Sequence, residues 1–349
     1  MTEQSQAVYR QDLGSEMDFE AFSLDPKMDK EGLAKIVNGL AEKPRPSQEQ
    51  VESVIRTGSV QWMPNLELEA IRDLDGKVVN YQIPNPLREY RKALGRSLDE
   101  KAKTNPMIFN GPVIVAEGEI KNPLRVMQGQ YYDFSATQLG NKPADLLKDK
   151  NAQLTPGVYP EGKTVENILR DAGLPLEARE RYFGFAHLMW PSDGKEFILV
   201  NRARGLGIAA DCLSTPGSTP DLFLDKPGLK RGIPGFGIKE YWSYHMGQEM
   251  LEEFALKWGD FWVEGITLYD DTRTIPFGAI NIYTEMSAKQ IAQGIYHAKP
   301  SERDRVLKEH NVIFGMPAEA IPHFLERFPV FPGVTKVLND ALKERGISQ

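Results

Sequence analysis

Residues 239–256 read KEYWSYHMGQEMLEEFAL and carry three glutamates within five positions, Glu249, Glu252 and Glu253. We predict that this stretch forms a helix, in which positions i, i+3 and i+4 share one face. Glu249, Glu252 and Glu253 would then project together. Like charges at this spacing cost about 0.2–0.5 kcal/mol per pair, and no Lys or Arg follows Glu240 within the stretch to offset them. Because Mg²⁺ and Mn²⁺ prefer carboxylate oxygens, the cluster predicts either a metal site or a solvated acidic helix face.

The segments around this helix predict strands. YFGFAHLMW and KEFILVNRAR precede it and are joined by the turn PSDG, whereas DFWVEGITLY and TIPFGAINIYTEM follow it. Runs rich in branched and aromatic residues are typical of strands, and a Gly-bearing turn between two of them predicts a hairpin. A long loop rich in Gly and Pro, at about residues 205–239, separates the second strand from the helix. This order predicts a mixed α/β fold.

The length of 349 residues predicts two domains. Residues 1–28 lack clear periodicity, so we predict a loose N-terminal arm. Two short amphipathic helical segments, a third candidate helix and two strand-like segments, NGPVIVAEGEI and LRVMQGQYYDFSAT, predict an α+β domain over residues 29–165. The acidic helix and its flanking strands predict a second domain over residues 181–349.

Composition excludes several functional classes of protein. The net charge of −7 argues against a general affinity for nucleic acid or anionic membranes, although a local basic site for a small phosphate is allowed. No apolar run approaches the roughly 18 residues of a membrane span. The single cysteine excludes an intramolecular disulfide and a cysteine-cluster metal site. The polar, acidic N-terminus predicts a cytoplasmic protein with no secretory signal, and the sequence allows a homodimer.

The acidic stretch resembles the Nudix box. That pattern is G, five residues, E, seven residues, and then R-E-U-x-E-E-x-G-U, with U an aliphatic residue. The matching positions are Glu240, Glu249, Met250, Glu252, Glu253 and Leu256. The departures are Pro234 for the first glycine, Gln248 for the arginine and Ala255 for the late glycine.

The three departures have different expected consequences. Alanine favours a helix interior over glycine by about 1 kcal/mol, so we expect Ala255 to be harmless unless a tight helix end is required. In the family, the arginine helps to hold the loop by pairing with the first glutamate. Gln248 could form only a weaker, neutral hydrogen bond to Glu240. Pro234 has Gly235 beside it.

The resemblance implies a fold and an activity. It covers about residues 181–349 and implies a Nudix-like α/β/α sandwich, with the box helix packed on a mixed sheet. A weaker N-terminal similarity, in NPMIFNGPVIVAEGEI and QGQYYDFSATQLG, is to Nudix hydrolases of nucleoside-diphosphate sugars. The implied reaction is metal-dependent hydrolysis of the diphosphate linkage in a nucleoside diphosphate linked to another moiety, including a nucleotide sugar.

The resemblance also implies roles for the matching residues. Glu249, Glu252 and Glu253 would bind Mg²⁺ or Mn²⁺, and a backbone carbonyl near Gly235 would complete the metal shell. Glu240 would order the loop. One of the helix glutamates would double as general base, and family members differ in which acid serves, so that assignment stays open.

Cationic side chains near the helix are candidates for holding phosphates. Arg202 and Arg204 leave the strand KEFILVNRAR, and a guanidinium fork matches phosphate oxygens. A solvent-exposed strand end explains them equally well. Lys226, Lys230 and Arg231 could form a cationic lid, but a solvated loop is the simpler interpretation.

Two other functions compete with hydrolysis. The first is a non-catalytic Nudix-like module that senses a nucleotide. The second, less favoured, is an enzyme that isomerises a prenyl diphosphate, which would need a catalytic cysteine; Cys212 is the only candidate and lies outside the box. His245 lies four residues before Glu249, and we expect it to pack or form hydrogen bonds rather than bind metal.

Overall fold

The computed structural model describes residues 6–12, 18–45, 47, 60–63, 68–105, 108, 110–118, 121–139, 142–191, 196–203, 212–218, 238–257, 259–269, 277–330 and 332–347. Within these ranges, side chains are described except at residues 12, 60–63, 139, 218, 238–244, 277 and 332.

The strands in the described part of the chain cover the predicted branched and aromatic runs and also segments that no such run predicted. They are β1 (Val8–Asp12), β2 (Asp18–Ser23), β3 (Val60–Met63), β4 (Leu68–Ala70), β5 (Pro112–Ala116), β6 (Leu124–Gln130), β7 (Gly184–Pro191), β8 (Glu196–Arg202), β9 (Leu213–Ser214), β10 (Gly217–Ser218), β11 (Phe261–Tyr269), β12 (Phe277–Thr284) and β13 (His310–Pro317). The helices are α1 (Lys30–Ala41), α2 (Arg88–Ala102), α3 (Tyr131–Phe134), α4 (Val165–Asp171), α5 (Ile238–Phe254), α6 (Ala288–His297), α7 (Pro300–Glu309), α8 (Ile321–Arg327) and α9 (Pro332–Glu344).

Ten of the strands form one mixed sheet. Eight of them follow the order β1-β2-β13-β8-β7-β12-β11-β3, while β9 pairs with β8 and β10 pairs with β7. The β7–β12 pair is parallel, and the other described pairs in this sheet are antiparallel. The predicted β7–β8 pairing is present at Met189 and Ile198, whereas the turn PSDG (192–195) lies outside the described residues.

Helices cover both faces of this sheet. Because side chains alternate along a strand, Phe185 and Met189 of β7 face one core, which includes residues of α5, α6 and α7. Leu188 and Trp190 face the other core, which includes residues of α1, α8 and α9. The predicted α/β fold with two helical layers around a mixed sheet is therefore confirmed.

The N-terminal segment differs from its prediction as a loose arm. β1 pairs with β2, and β2 pairs with β13, so residues 8–12 and 18–23 form one edge of the main sheet. Phe19 and Phe22 of β2 are fully buried. Apolar burial on two sides of the strand holds it in place.

The predicted boundary of the 29–165 domain also differs from the observed packing. Leu33 and Val37 of α1 lie in the second core of the main sheet, and β3 pairs with β11 at the other sheet edge. These elements belong to the main sheet because their apolar faces are buried there.

A second, smaller sheet is formed by strands that follow β3 and precede β7 along the chain, and it has the order β4-β6-β5. Ile114 of β5 lies in the same core as α5. Its neighbour Val115 faces the opposite way, into a cluster with Phe134 and Tyr182. The second sheet therefore has one face on the main core.

No helix in the described part of the chain combines the length and apolar character that a membrane crossing needs.

Candidate functional site

Helix α5 places the predicted glutamates in three different environments. Its apolar side is fixed by Met246, Met250 and Phe254, which are buried in the main core. Glu252 is exposed. Glu249 is partly buried, and its Oε1 lies 3.7 Å from Nδ1 of the buried His245. The three carboxylates of this helix therefore lie at different depths, and their shared role as metal ligands stays a prediction.

The third glutamate, Glu253, is almost fully buried and faces two histidines. Its Oε2 lies 3.3 Å from Nδ1 of His187, on β7, and its Oε1 lies 3.6 Å from Nε2 of His310, the first residue of β13. The backbone N–H of Gly217 donates to Oε1 at 3.3 Å. Both histidines are fully buried.

Burial and the two neighbouring histidines shift the pKa of Glu253 in opposite directions. Burial alone would raise the pKa of Glu253, but the two imidazoles outweigh it and hold that pKa below its ordinary value. Burial lowers the pKa of His310, and the nearby carboxylate only partly compensates. Glu253 is therefore an ionised carboxylate that ties α5 to two strands of the main sheet.

Glu309 and Arg202 border the same acidic end of the helix. Arg202 Nη2 lies 3.9 Å from Glu309 Oε2, and both side chains are largely buried. Burial, together with the charges of Glu253 and Glu252, raises the pKa of Glu309 to about 7, against the opposing charge of Arg202. Negative charge is thus concentrated here, with Arg202 as its cationic neighbour. Phosphate binding by Arg202 stays a prediction.

Two tyrosines packed beside the second sheet are influenced by the charges of this region. Burial raises the pKa of Tyr182, and the charges of Arg202 and Glu249 are close enough to act on it in opposite directions. Burial also raises the pKa of Tyr131, and Arg202 lowers it. Both tyrosines belong to the cluster around Val115, on the face of β5 that points away from the core of α5.

The end of α5 corrects one prediction. Ala255 has φ +56°, in the left-handed region, and the N–H of Leu256 donates to the carbonyl of Met250. A tight helix end is therefore present at the position where the box has glycine. The preference of alanine for a helix interior does not apply, because a left-handed backbone favours glycine over alanine.

Several predicted residues cannot be placed. Arg204, Gly235, Pro234 and the candidate lid residues Lys226, Lys230 and Arg231 lie outside the described residues. Glu240 lies in the first turn of α5, but its side chain is not described. Cys212 is partly buried, and its carbonyl accepts a hydrogen bond from the backbone N–H of Arg202 at 2.9 Å.

The sequence interpretation missed His187, His310 and Glu309. A signal for them exists, since His187 interrupts the apolar run YFGFAHLMW and the pair Glu309–His310 immediately precedes VIFGM. A titratable residue inside a buried strand needs a partner. Among the residues that the structure describes, no three His, Cys, Asp or Glu side chains are arranged to hold a metal ion.

No protein-family model and no curated protein matches this sequence. Solved structures similar to about half of the chain include the Nudix domain of Shewanella oneidensis NrtR, complexed with ADP ribose. It is 14% identical, with 48% of this chain and 88% of that chain covered and a TM-score of 0.29. A MutT protein from Methanosarcina mazei is 15% identical, with 48% and 96% covered and a TM-score of 0.26. A C. elegans Ap4A hydrolase is 12% identical, with 47% and 98% covered and a TM-score of 0.25. At these TM-scores, the likeness carries no functional weight of its own.

Proposed function

We propose that this chain is a Nudix-type pyrophosphohydrolase that cleaves the diphosphate linkage of a nucleoside diphosphate joined to another moiety. The observation that carries the proposal is the backbone at Ala255. The box pattern has glycine at this position, and the chain adopts the left-handed conformation that glycine favours although the residue is alanine. The geometry of the helix end therefore agrees with the pattern independently of the glutamate spacing.

The donor set suits a divalent metal ion. Glu252 is exposed and Glu249 is partly accessible. Burial, and after it the charges of Glu253 and Glu252, raise the pKa of the neighbouring Glu309. A hard cation such as Mg²⁺ or Mn²⁺ would relieve this repulsion. We assign metal binding to Glu249 and Glu252. Glu253 fits the expected ligand role less well, because both of its oxygens face imidazoles or a backbone amide.

The bound metal would neutralise diphosphate oxygens and help to activate the attacking water. The chain's own residues would position the substrate. Arg202 presents a guanidinium beside the acidic helix face, and Glu309 restrains its orientation. Glu253 fixes α5 on the sheet, so that the exposed carboxylates keep their spacing.

A nucleotide-sensing module is the second candidate. The engagement of Glu253 with His187 and His310 favours it, because a sensor does not need this carboxylate to be available to a metal. Glu252 would then be a solvated residue without a catalytic role. A prenyl diphosphate isomerase is the third candidate and rests on Cys212 alone.

The test is release of phosphate-bearing products from nucleoside-diphosphate sugars, dinucleotides and nucleoside triphosphates. Each substrate is incubated with Mg²⁺, Mn²⁺ or chelator. We expect metal-dependent cleavage that Glu252→Gln lowers by about a hundredfold or more, as expected when a charged ligand is lost. Glu31→Gln is the matched control, because Glu31 is an exposed glutamate on α1, at the opposite face of the sheet.

Two results would reject the hydrolase. Cleavage that survives both chelator and Glu252→Gln would show that the acidic helix face is not the site. Tight binding of a nucleotide without any cleavage would favour the sensor.

A further inference from the structure

The end of α7 places Glu309 beside Arg202, at the acidic end of α5. Glu309 is the last residue of α7 and immediately precedes β13. The N–H of Ala203 donates to the Glu309 carbonyl at 2.8 Å, and Arg202 pairs in register with His310. Val306, one turn earlier in α7, is buried in the core against which α5 packs. These contacts fix where the Glu309 side chain leaves the backbone.

The carboxylate of Glu309 is available for proton transfer, in contrast to that of Glu253. Both oxygens of Glu253 face imidazoles, and one also accepts a backbone N–H. No hydrogen bond from the described residues reaches a carboxyl oxygen of Glu309. Its Oε2 lies 3.9 Å from Nη2 of Arg202, which is too far for a hydrogen bond. The Glu309 side chain is 26% exposed, so water has access to it.

Arg202 offers a phosphate position next to this carboxylate. Its Nε atom is buried and has no hydrogen-bond partner among the described residues. A guanidinium has five N–H donors, and a buried donor without a partner is costly, so an anionic ligand would stabilise this side chain. A phosphate oxygen would lie about 2.7–2.9 Å from the guanidinium nitrogens. A water molecule beside that phosphate would then be within hydrogen-bond distance of Glu309 Oε2.

The charged groups around Glu309 adjust its protonation to neutral pH. Burial raises the pKa of Glu309 to about 7, with smaller upward effects from Glu253 and Glu252 on α5 and a downward effect from Arg202 on β8. His310 on β13 is buried, and its pKa is lowered. A cation bound to Glu252 would leave the effect of burial in place. A general base is most effective when its pKa lies near the working pH.

We propose that Glu309 is the general base that accepts a proton from the water attacking the diphosphate, which rests on the hydrolase proposed above. The water oxygen bonds to one phosphorus atom while the bridging P–O bond breaks. The electron pair of that bond leaves with the departing phosphate, and the proton released by the water passes to Glu309. Arg202 holds the phosphate that is attacked, and Glu249 and Glu252 keep their oxygens for the metal. The base is therefore outside the acidic helix.

The experiment is the pH dependence of hydrolysis by the full chain with Mg²⁺. The substrate is whichever of ADP-ribose, UDP-glucose and diadenosine tetraphosphate the unmodified chain cleaves fastest. Because the base must be ionised, kcat/KM should fall about tenfold per pH unit below about pH 7. Glu309→Gln should lower kcat at least about a hundredfold and remove this fall. Glu302→Gln, at a partly buried glutamate in the first turn of the same helix, should behave like the unmodified chain.

Arg202→Gln separates a base from a residue that only positions the arginine. This variant should raise KM at least about tenfold and keep the fall below pH 7, because it loses phosphate binding but keeps the base. If Glu309→Gln also raised KM and kept that fall, Glu309 would act through Arg202 and the proposal would be overturned. Glu309→Asp keeps a carboxylate at a shorter reach, so it should keep the fall with kcat lowered at least about tenfold.

A second readout needs no activity. With chelator present, the infrared difference between the unmodified chain and Glu309→Gln isolates the C=O stretch of the protonated Glu309 carboxyl. This band should disappear with a midpoint near pH 7, whereas a midpoint below about pH 5 would overturn the proposal. If thermal melting shows that Glu309→Gln does not fold, Glu309→Asp replaces it, and an unchanged kcat in that variant would overturn the proposal.

The outcomes separate the two proposals. If the unmodified chain cleaves none of the three substrates, the hydrolase is rejected and the base with it. If it cleaves one of them and Glu309→Gln keeps both kcat and the fall below pH 7, the hydrolase stands and only the role of Glu309 is rejected.

Discussion

At the residue scale, Ala255 has an unfavourable backbone conformation that the sequence pattern could not reveal. Its φ of +56° is costly for alanine by about 1–2 kcal/mol, whereas glycine has no such cost. Against this, glycine lowers the free energy of unfolding by about 0.4–1 kcal/mol relative to alanine, because the unfolded chain has more conformational entropy with glycine. We therefore predict that Ala255→Gly raises the free energy of unfolding by about 0.5–1 kcal/mol, measured by urea denaturation.

The control for this variant is the same substitution inside a regular helix. Ala34 lies within α1, so Ala34→Gly should lower the free energy of unfolding by about 1 kcal/mol. Opposite signs for the two variants would support the left-handed helix end. Destabilisation of similar size in both would contradict it.

Glu180 supplies a second prediction at the residue scale. Its carboxyl is fully buried and packs against Gly129. Burial, together with the charge of Asp133, raises its pKa to about 9. Between the ordinary pKa of 4.5 and about 9, the unfolded chain loses this proton first. The stability that Glu180 contributes is therefore complete below pH 4.5 and is lost as pH rises towards 9.

We expect Glu180→Gln to remove this pH dependence. For the unmodified chain, the contribution of Glu180 to the unfolding free energy should fall by up to about 1.4 kcal/mol per pH unit between pH 5 and pH 9. Urea denaturation at several pH values should give a flatter profile for Glu180→Gln and higher stability than the unmodified chain at pH 8. Glu161→Gln, at an exposed glutamate, should follow the unmodified profile. Parallel profiles for all three proteins would contradict the assignment.

The sequence predicted the glutamates of α5 but not the histidines that contact Glu253, and the reason is physical. Helical spacing alone placed Glu249, Glu252 and Glu253 on one helix, because their relation is local. The partners of Glu253 come from β7 and β13, which lie far from it along the chain. Only the pairing of strands brings them together, so no local spacing could identify them.

At the element scale, α5 is tied to the main sheet by a charged contact at one end. Glu253 is buried between His187 and His310, whereas Glu252, one position earlier, is exposed. Removing one member of a buried charged cluster costs about 3–5 kcal/mol, while exposed substitutions usually stay within about 0.5 kcal/mol. We predict that Glu253→Gln lowers the unfolding free energy by about 3 kcal/mol and that Glu252→Gln leaves it nearly unchanged.

Urea denaturation of the two variants tests this prediction, and their activities give a second readout. If both glutamates were equivalent metal ligands at the surface, the two variants should lose activity while keeping similar stability. That outcome would contradict the anchoring role of Glu253.

Element prediction succeeded where a segment carries its own periodic signal. β7, β8, β11 and β12 follow the branched and aromatic runs, and α5 follows the acidic stretch. Helix α6 was missed, although Ser287 and Gln290 form a capping box at its start. The short edge strands β1 and β2 were also missed, because a strand of five or six residues with polar side chains has little periodicity to detect.

At the scale of the whole molecule, the N-terminal strands complete the main sheet. β2 pairs with β13, which belongs to the opposite end of the chain. Phe19 of β2 is fully buried, with its ring centroid 5.1 Å from that of Phe324 and 5.2 Å from that of Phe328. Phe19 therefore completes the second core of the sheet. In a loose N-terminal arm, the same side chain would be exposed to solvent.

This closure gives the last prediction. Because large aromatic side chains in a packed core contribute about 3–5 kcal/mol over alanine, Phe19→Ala should lower the unfolding free energy by about that amount. Val8→Ala, at an exposed position of β1, should change it by less than about 0.5 kcal/mol. Deletion of residues 1–23 should expose one edge and one core of the sheet, and circular dichroism should then show loss of cooperative melting. A deletion variant that melts cooperatively at the original temperature would mean that β1 and β2 are dispensable, as a loose arm would be.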